Sequence, residues 1–246
     1  MAQPAQAPRR VPLSRYAVLR AAVALADDAG IDQVSMRNLS QVLGVVPMAL
    51  YKHVANKEEL LGGMVDVIVG EIDPPVGGPD WRSAVRHRVL SARRALLRHP
   101  WASQVIESRT APTPLVLKYL DSMIGMFRDG GFSVDLTHHV MHALGSRMWG
   151  FAQDLFDDTA SANLDPEART AMIAQMAGTY PHVVEVAMRA AHDEQSVVGP
   201  GCDDQFEFEF ALDILLDGFE RLHLQGWSST NQPTAAKAVV WPTQRD

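Results

Sequence analysis

The tightest constraint on how this chain can fold lies in residues 35–57, SMRNLSQVLGVVPMALYKHVANK. Ser35 is a good N-cap for a short helix, and helix-forming residues follow it. Gly44 suits the left-handed cap that ends such a helix. Pro47 is tolerated in the first turn of a second helix. Two short helices around a glycine turn are typical of the helix-turn-helix, which places its second helix in the DNA major groove.

The second helix has an apolar side and a polar side. Leu50 and Val54 are four residues apart and are predicted to point inward. Tyr51, Lys52 and His53 are left on the outside, where an aromatic and basic tip suits contact with phosphates and groove edges.

Residues 30–61, GIDQVSMRNLSQVLGVVPMALYKHVANKEELL, resemble the DNA-binding domain of the tetracycline-repressor (TetR) family. Three family motifs occur in order: a Leu-Gly-Val turn, a Leu-Tyr-Lys-His-Val run and an Asn-Lys-x-x-Leu-Leu helix start. The resemblance implies an all-α fold with an N-terminal three-helix helix-turn-helix domain. It also implies a larger C-terminal helical domain for ligand binding and dimerisation.

The motif and the resemblance together predict which residues contact DNA. The first turn of the second helix offers bases only apolar contacts, such as those with thymine methyls. We therefore expect Arg37 and Lys52 to carry most direct base readout, and Lys57 to bind a phosphate. The predicted set is Ser35, Arg37, Pro47, Met48, Ala49, Tyr51, Lys52, His53 and Lys57.

Helical periodicity continues through the rest of the chain, and no alternating strand pattern appears, so the fold class is all-α. We expect a disordered arm over 1–12 and a DNA-binding domain over 13–73, with 57–73 as a connector helix. Its first helix starts after Ser14, and its predicted inward stripe is Tyr16, Leu19, Val23 and Ala26. A Pro/Gly-rich break at 73–80 precedes a second domain over 81–225 and a tail over 226–246.

The last helix, residues 204–225, carries two apolar stripes, and both must be buried. One stripe has the 4-3-4-3 spacing of a heptad-like seam, and a second adds Phe206, Phe210 and Ile214. One face can pack on its own chain and the other on a partner. We assign the dimer interface to the heptad-like stripe: Phe208, Leu212, Leu215, Phe219 and Leu222.

Residues 81–157 resemble the ligand-binding core of the tetracycline repressor. This resemblance implies a cavity lined by Arg88, Ala92, Ile106, Thr110, Met123, Met141, His142, Gly145 and Trp149. The repressor's two drug-binding histidines fall near Asp73 and Ile106 here, which argues against a metal-chelated ligand. No cofactor and no metal are expected, and the effector is expected to be a largely apolar small molecule.

The His138, His139 and His142 cluster does not change that expectation. Histidines four residues apart share a helix face, but the zinc-protease motif needs a glutamate directly after the first one. We expect one pocket-facing imidazole and two on the surface.

Charge is divided unevenly along the 246 residues. The net charge is −7, with +2 in residues 1–60 and −9 in the remainder, which suits DNA binding at one end only. The single cysteine, Cys202, fits a reducing compartment. No apolar run approaches the roughly 20 residues that span a bilayer, and no secretory signal appears, so we expect a cytoplasmic protein without a membrane partner.

These observations predict a homodimeric repressor that binds palindromic double-stranded operator DNA and is released by a small-molecule effector. An activator, or a ligand-independent DNA-binding regulator of the same fold, remains an alternative. An enzyme is the third hypothesis, but no nucleophile–base pair, paired acids or phosphate-binding loop in the sequence supports it.

Overall fold

In a computed structural model, residues 13–75, 80–109, 111–149, 165–190 and 204–231 are described, and they form helices and turns without a strand. The helices are α1 Arg15–Ala29, α2 Met36–Leu43, α3 Pro47–Leu50, α4 Lys57–Val69, α5 Trp81–Arg98, α6 Trp101–Ser108, α7 Pro114–Asp129, α8 Val134–Trp149, α9 Pro166–Thr179, α10 Pro181–Ala190 and α11 Asp204–Leu224. Among the described residues, no helix is both long and apolar enough to cross a membrane. The predicted all-α class is confirmed.

The chain divides into two compact units, and the division falls between Gly130 and Gly131. The first unit contains α1–α7, and the second contains α8–α11. The predicted break at 73–80 therefore falls inside the first unit. The physical reason is that α4 packs against α1 and also against α5, α6 and α7.

Side-chain caps set the helix starts in the DNA-binding region, as the sequence predicts. The Ser14 hydroxyl accepts a hydrogen bond from the Ala17 amide, and the Ser35 hydroxyl accepts one from the Asn38 amide. The Asn56 side chain accepts one from the Glu59 amide. Gly44 ends α2 in the left-handed conformation, with φ 63° and ψ 35°. The connector helix α4 is shorter than predicted, because it ends at Val69 before Gly70.

The core of the first unit is built on the inward face of α1. Leu19, Val23 and Ala26 are buried there as predicted, together with Val18 and Ala22. The prediction for Tyr16 was wrong, because its side chain is 68% exposed. The buried face is rotated toward Val18 and Ala22, so the Tyr16 position lies at its edge.

In the second unit, α11 packs on α8, and this contact corrects the assignment of the dimer seam. Phe208, Leu212 and Phe219 are buried within their own chain, and Leu215 and Leu222 are half-buried. Arg147 of α8 covers the Phe208 ring, with its guanidinium carbon 4.8 Å from the ring centroid. The stripe assigned to a partner is therefore the one that packs internally, while Phe206, Phe210 and Ile214 are more than half exposed.

The α5–α7 contact of the first unit generates a stability prediction. Gly130, which caps α7, lies so close to α5 that an added Cβ would be 2.7 Å from the Trp81 Cβ. Gly130→Ala should lower the free energy of unfolding by about 1–3 kcal/mol, the usual effect of overpacking. Gly125→Ala is the matched control on the same helix, because an added Cβ there meets nothing within 4 Å. It should raise stability by up to about 1 kcal/mol. Urea unfolding at fixed protein concentration measures both, and equal effects would contradict the packing assignment.

Candidate DNA interface and effector site

The predicted recognition helix α3 is a single turn that is held from below. Leu50 and Val54 are almost fully buried, as predicted. The amides of His53 and Val54 both donate to the Leu50 carbonyl, at 2.8 and 3.0 Å, so the backbone continues as a turn beyond the helix. Because its inner side chains are buried, the opposite side of this turn is exposed on the protein surface.

The predicted DNA-contacting residues lie mostly on the surface of the first unit. Met48 is 71% exposed and Tyr51 is 47% exposed. Exposed side chains also include Arg37, Pro47, Lys52 and Lys57, whereas Ser35, Ala49 and His53 are half-buried. The Ser35 hydroxyl already accepts the α2 cap hydrogen bond, which leaves it only its proton to donate to DNA.

Three of the exposed cations have no ionic partner of their own. Within the described residues, Arg37, Lys52 and Lys57 form no ion pair. Lys57 is the first residue of α4, where helix amides point outward and favour anions. Cations that are not neutralised internally are available to phosphates.

Helix α4 is held by the segment that follows α6, a contact that the sequence did not reveal. The Arg109 guanidinium donates to the Glu58 carbonyl at 3.1 Å and lies over Gly62, where an added Cβ would be 3.1 Å from its nitrogens. The Thr113 hydroxyl donates to the Asp66 carboxylate at 2.5 Å. Glu58, Gly62 and Asp66 are four residues apart, so both contacts fall on one stripe of α4. The spacing was readable from sequence, but its partner segment was not.

A buried histidine joins α1 and α4 to the start of α6. His99 is 7% exposed, and its Nδ1 lies 2.8 Å from Asp27 while its Nε2 lies 3.2 Å from Glu71. The Trp101 indole N–H also donates to Asp27 at 2.7 Å. Burial alone would raise the pKa of Glu71, but hydrogen bonds from Arg98 and His99 lower it overall. The three elements thus meet in a charged, hydrogen-bonded junction.

The predicted effector residues of the first unit lie on α5, α6 and α7. Arg88, Ala92 and Met123 are buried, and Ile106 is half-buried, while Thr110 lies outside the described residues. The Arg88 guanidinium stacks over Tyr119, with 4.8 Å between its central carbon and the ring centroid. Burial lowers the pKa of Arg88 and raises the pKa of Tyr119.

Arg88 is only partly satisfied. Its Nη1 donates to the Asp73 carbonyl, and its buried Nε has no hydrogen-bond partner in the described part of the chain. A buried donor without a partner is costly, and a ligand acceptor would relieve that cost.

The predicted effector residues of the second unit share one helix, α8. Met141 and Gly145 are half-buried, and the Trp149 side chain lies outside those described. His142 is exposed, as are His138 and His139, so the structure does not single out one enclosed imidazole. His138 and His142 are in ring contact at 4.6 Å. Across the described ranges, no group of three or more His, Cys, Asp or Glu side chains could hold a metal ion.

The second unit also contains an apolar groove of about 330 Å³ that the sequence did not predict. Its lining is Leu136, His139, Val140, Ala143, Phe219, Leu222, Trp227 and Ser229. Asp135 holds the segment that follows α11 against α8 by accepting from the Ser229 amide at 2.6 Å and its hydroxyl at 2.8 Å. Trp227 after the Gly226 turn was a visible signal that this segment docks.

Family profiles match most of the chain. The profile described as bacterial regulatory proteins of the tetR family matches residues 18–64. The profile described as the tetracyclin repressor-like C-terminal domain matches residues 74–223.

Individual proteins are similar over most of their length. The tetracycline repressor protein class D of Escherichia coli is 30% identical over 159 residues, which is 63% of this chain and 72% of that protein. ActR of Streptomyces coelicolor, solved in complex with (S)-DNPA, has a TM-score of 0.65 at 23% identity, covering 87% of this chain and all of that one. BioQ, solved with its double-stranded DNA operator, has a TM-score of 0.53 at 21% identity, covering 85% of this chain and 98% of that one.

The exposed cations give a prediction that separates two kinds of DNA contact. Lys57→Gln should weaken binding to all sequences about equally and reduce the slope of log affinity against log salt by about 1, because one phosphate contact is lost. Arg37→Ala should instead reduce discrimination between operator and random DNA by about 1–3 kcal/mol.

Fluorescence anisotropy at several salt concentrations, on selected and random duplexes, measures both quantities. Unchanged discrimination for Arg37→Ala would refute its role in base readout.

Proposed function

The chain belongs to the TetR family of bacterial regulatory proteins, and from this premise we propose that it is a cytoplasmic repressor that a small molecule releases from operator DNA. Members of this family bind operator DNA and effector ligands, as the BioQ–operator and ActR–(S)-DNPA complexes illustrate. For this chain, the operator, the effector and the direction of regulation are parts of the proposal.

The observation that carries the proposal is the double attachment of α4. On one side α4 packs on α1 of the DNA-binding region, and on the other it is held by Arg109 and Thr113. Any displacement of the segment between α6 and α7 therefore acts on α4. Lys57 lies at the N-terminal end of α4, which is the end proposed to face DNA. An effector that binds better to the displaced arrangement shifts the population away from the DNA-binding one.

The effector site of the proposal contains the predicted residues around Arg88. The unpartnered Arg88 Nε and the neighbouring Tyr119 ring offer a hydrogen-bond donor beside an aromatic face. An effector with an acceptor oxygen on a flat apolar body fits that chemistry. The class D relative is named for tetracycline, and compounds with fused rings and acceptor oxygens are a reasonable first panel.

The direct test measures operator binding in the presence of each panel compound. Operator DNA is first selected from a random library with the purified chain, and compounds are ranked by the rise in melting temperature. We expect at least one stabilising compound to weaken operator binding by roughly 5- to 150-fold, the usual range of allosteric coupling. Compounds that stabilise the protein without changing operator affinity would argue against release by an effector.

The Thr113–Asp66 hydrogen bond gives a prediction about coupling. Thr113→Val keeps the side-chain shape but removes the hydroxyl, which donates to Asp66 and also accepts from the Val116 amide as the N-cap of α7. We expect effector affinity and free-state operator affinity to stay within about twofold, while the effector-induced weakening falls several-fold, because one of two attachments is lost. Titration of effector in the presence and absence of operator measures the coupling. Thr170→Val, in α9 of the second unit, is the matched control.

Homodimerisation is a further part of the proposal, and the exposed stripe of α11 supports it. Phe206, Phe210 and Ile214 are 61%, 54% and 55% exposed, and the two phenyl rings stack at 6.2 Å. A row of large apolar side chains on a helix surface is typical of a protein–protein contact. A two-fold dimer would present two recognition helices to a palindromic operator about one DNA turn, ~34–36 Å, apart.

Substitution in this stripe tests the dimer. Phe210→Glu should raise the dimer dissociation constant at least tenfold and weaken operator binding in parallel, because it places a charge in an apolar contact. Phe210→Leu should preserve the dimer. Sedimentation velocity over a concentration series measures the association. A stable Phe210→Glu dimer would move the interface elsewhere.

A further inference from the structure

The basic residues of the DNA-binding region fall into two groups. Arg37, Lys52 and Lys57 form no ion pair within the described residues, whereas the two described arginines of α1 are both paired. Arg20 pairs with Glu71 at 3.0 Å, beyond the C-terminal end of α4. Arg15 is different, because its partners are His53, in the turn after α3, and Glu59, in the first turn of α4.

Arg15 connects three elements through one guanidinium nitrogen. As the first residue of α1, it donates from Nη1 to the His53 carbonyl at 2.7 Å and to the Glu59 carboxylate at 2.5 Å. His53 lies in the turn that follows α3, and Glu59 lies in the first turn of α4. The end of the recognition helix is therefore tied to the start of α1 and to the start of α4.

Glu59 is itself anchored on its far side. Its second carboxylate oxygen accepts from the Ala55 amide at 2.7 Å, while its own amide donates to the Asn56 side chain at 2.8 Å. This arrangement resembles a capping box, except that the Glu59 carboxylate reaches the amide of Ala55, the residue before the N-cap, instead of that of Asn56. The hydrogen bond from Ala55, followed by that from Arg15, lowers the pKa of Glu59, so the carboxylate is charged at neutral pH.

The recognition helix needs such a tie because it is only four residues long. Burial of Leu50 sets how deeply it sits, but one turn of helix has little axial rigidity of its own. The His53 carbonyl lies at the end of this turn and accepts from Arg15. A charge-assisted hydrogen bond of this kind is among the stronger available restraints.

We propose that Arg15 is a positioning residue for operator recognition, which fixes the α3 turn through the His53 carbonyl and Glu59 without itself contacting DNA. The inference goes beyond the proposed function and rests only on operator binding. The competing role is that of a phosphate ligand, because the Arg15 side chain is 45% exposed. The two roles differ in salt dependence, since each phosphate contact contributes about 0.9 to the salt slope.

The test compares Arg15→Gln with four other variants of the full-length chain, on DNA selected by the wild type and on random DNA. Arg15→Gln should weaken selected-site binding by about three- to tenfold, with an unchanged salt slope and a smaller loss on random DNA. Arg15→Lys should recover part of the loss. Glu59→Gln keeps a side-chain oxygen that can accept from the Ala55 amide but removes the charge. It should therefore reproduce the effect of Arg15→Gln.

Arg20→Gln is the matched control, because it removes the same charge from the same helix and breaks an ion pair of the same kind. It should change selected-site affinity by no more than about twofold. Urea unfolding of each variant separates a loss of position from a loss of fold. The double variant Arg15→Gln/Glu59→Gln should be no weaker than the worse single variant, because both substitutions break one link.

Three results would overturn the proposal. The first is a salt slope that falls by about 1 in Arg15→Gln, which would identify a phosphate ligand. The second is equal behaviour of the Arg15 and Arg20 variants. The third is a Glu59→Gln variant with wild-type affinity. If the wild type selects no DNA sequence at all, operator binding itself fails, and that outcome is distinct from these three.

Discussion

Close packing of α4 on two sides is the constraint on which the first unit depends, and two adjacent glycines make it possible. An added Cβ on Gly63 would lie 2.5 Å from the Leu19 side chain of α1. An added Cβ on Gly62 would lie 3.1 Å from the Arg109 guanidinium on the other side. Glycine in a helix interior costs about 1 kcal/mol relative to alanine. That cost is offset here by close contacts that an added Cβ would force the Leu19 and Arg109 side chains to give up.

The same two-sided packing explains how an acidic protein keeps a basic DNA-facing surface. Many arginines of the first unit are used internally: Arg20 and Arg98 bind Glu71, and Arg94 binds Asp73 at 2.8 Å. These pairs are about half exposed, so each adds little to stability. Their consequence is in the distribution of charge, because these pairs neutralise several arginines, whereas Arg37, Lys52 and Lys57 form no ion pair within the described residues. Net charge was therefore a poor guide to function, and pairing is a better one.

Local sequence signals predicted the helix starts well, because capping is a short-range interaction. Ser14, Ser35 and Asn56 each cap a helix through an amide three residues later, and this spacing is visible in the sequence. The turn that runs from Gly44 to Pro47 was predictable for the same reason. The all-α class followed from periodicity alone.

Long-range packing could not be predicted in the same way. On α11 both stripes are apolar, so periodicity could not say which one meets α8; only the structure shows that the Phe208 stripe does. On α1 three of the four predicted inward positions are buried, but Tyr16 is exposed. Periodicity could not exclude it, because Tyr, Leu and Val all fit an apolar face. For the candidate site, the exposed α3 region was predicted. The hydrogen bonds that Arg15 makes to the turn after α3, Arg109 to α4 and His99 to α1 were not, because they join residues 38 to 72 positions apart.

Because α4 is long, a small tilt of the helix would move its ends far enough to change a contact with DNA. Thirteen residues make a helix of roughly 20 Å, with Lys57 at one end and Val69 at the other. A tilt of about 5° around the glycine pair would move an end by roughly 1 Å, and a tilt of about 10° by roughly 2 Å. Hydrogen bonds to phosphate tolerate only a few tenths of an ångström. A rigid α4 held at both sides would therefore need no large rearrangement to withdraw Lys57 from the phosphate contact proposed for it, and the four-residue α3 would follow because Arg15 and Glu59 tie it to the same end.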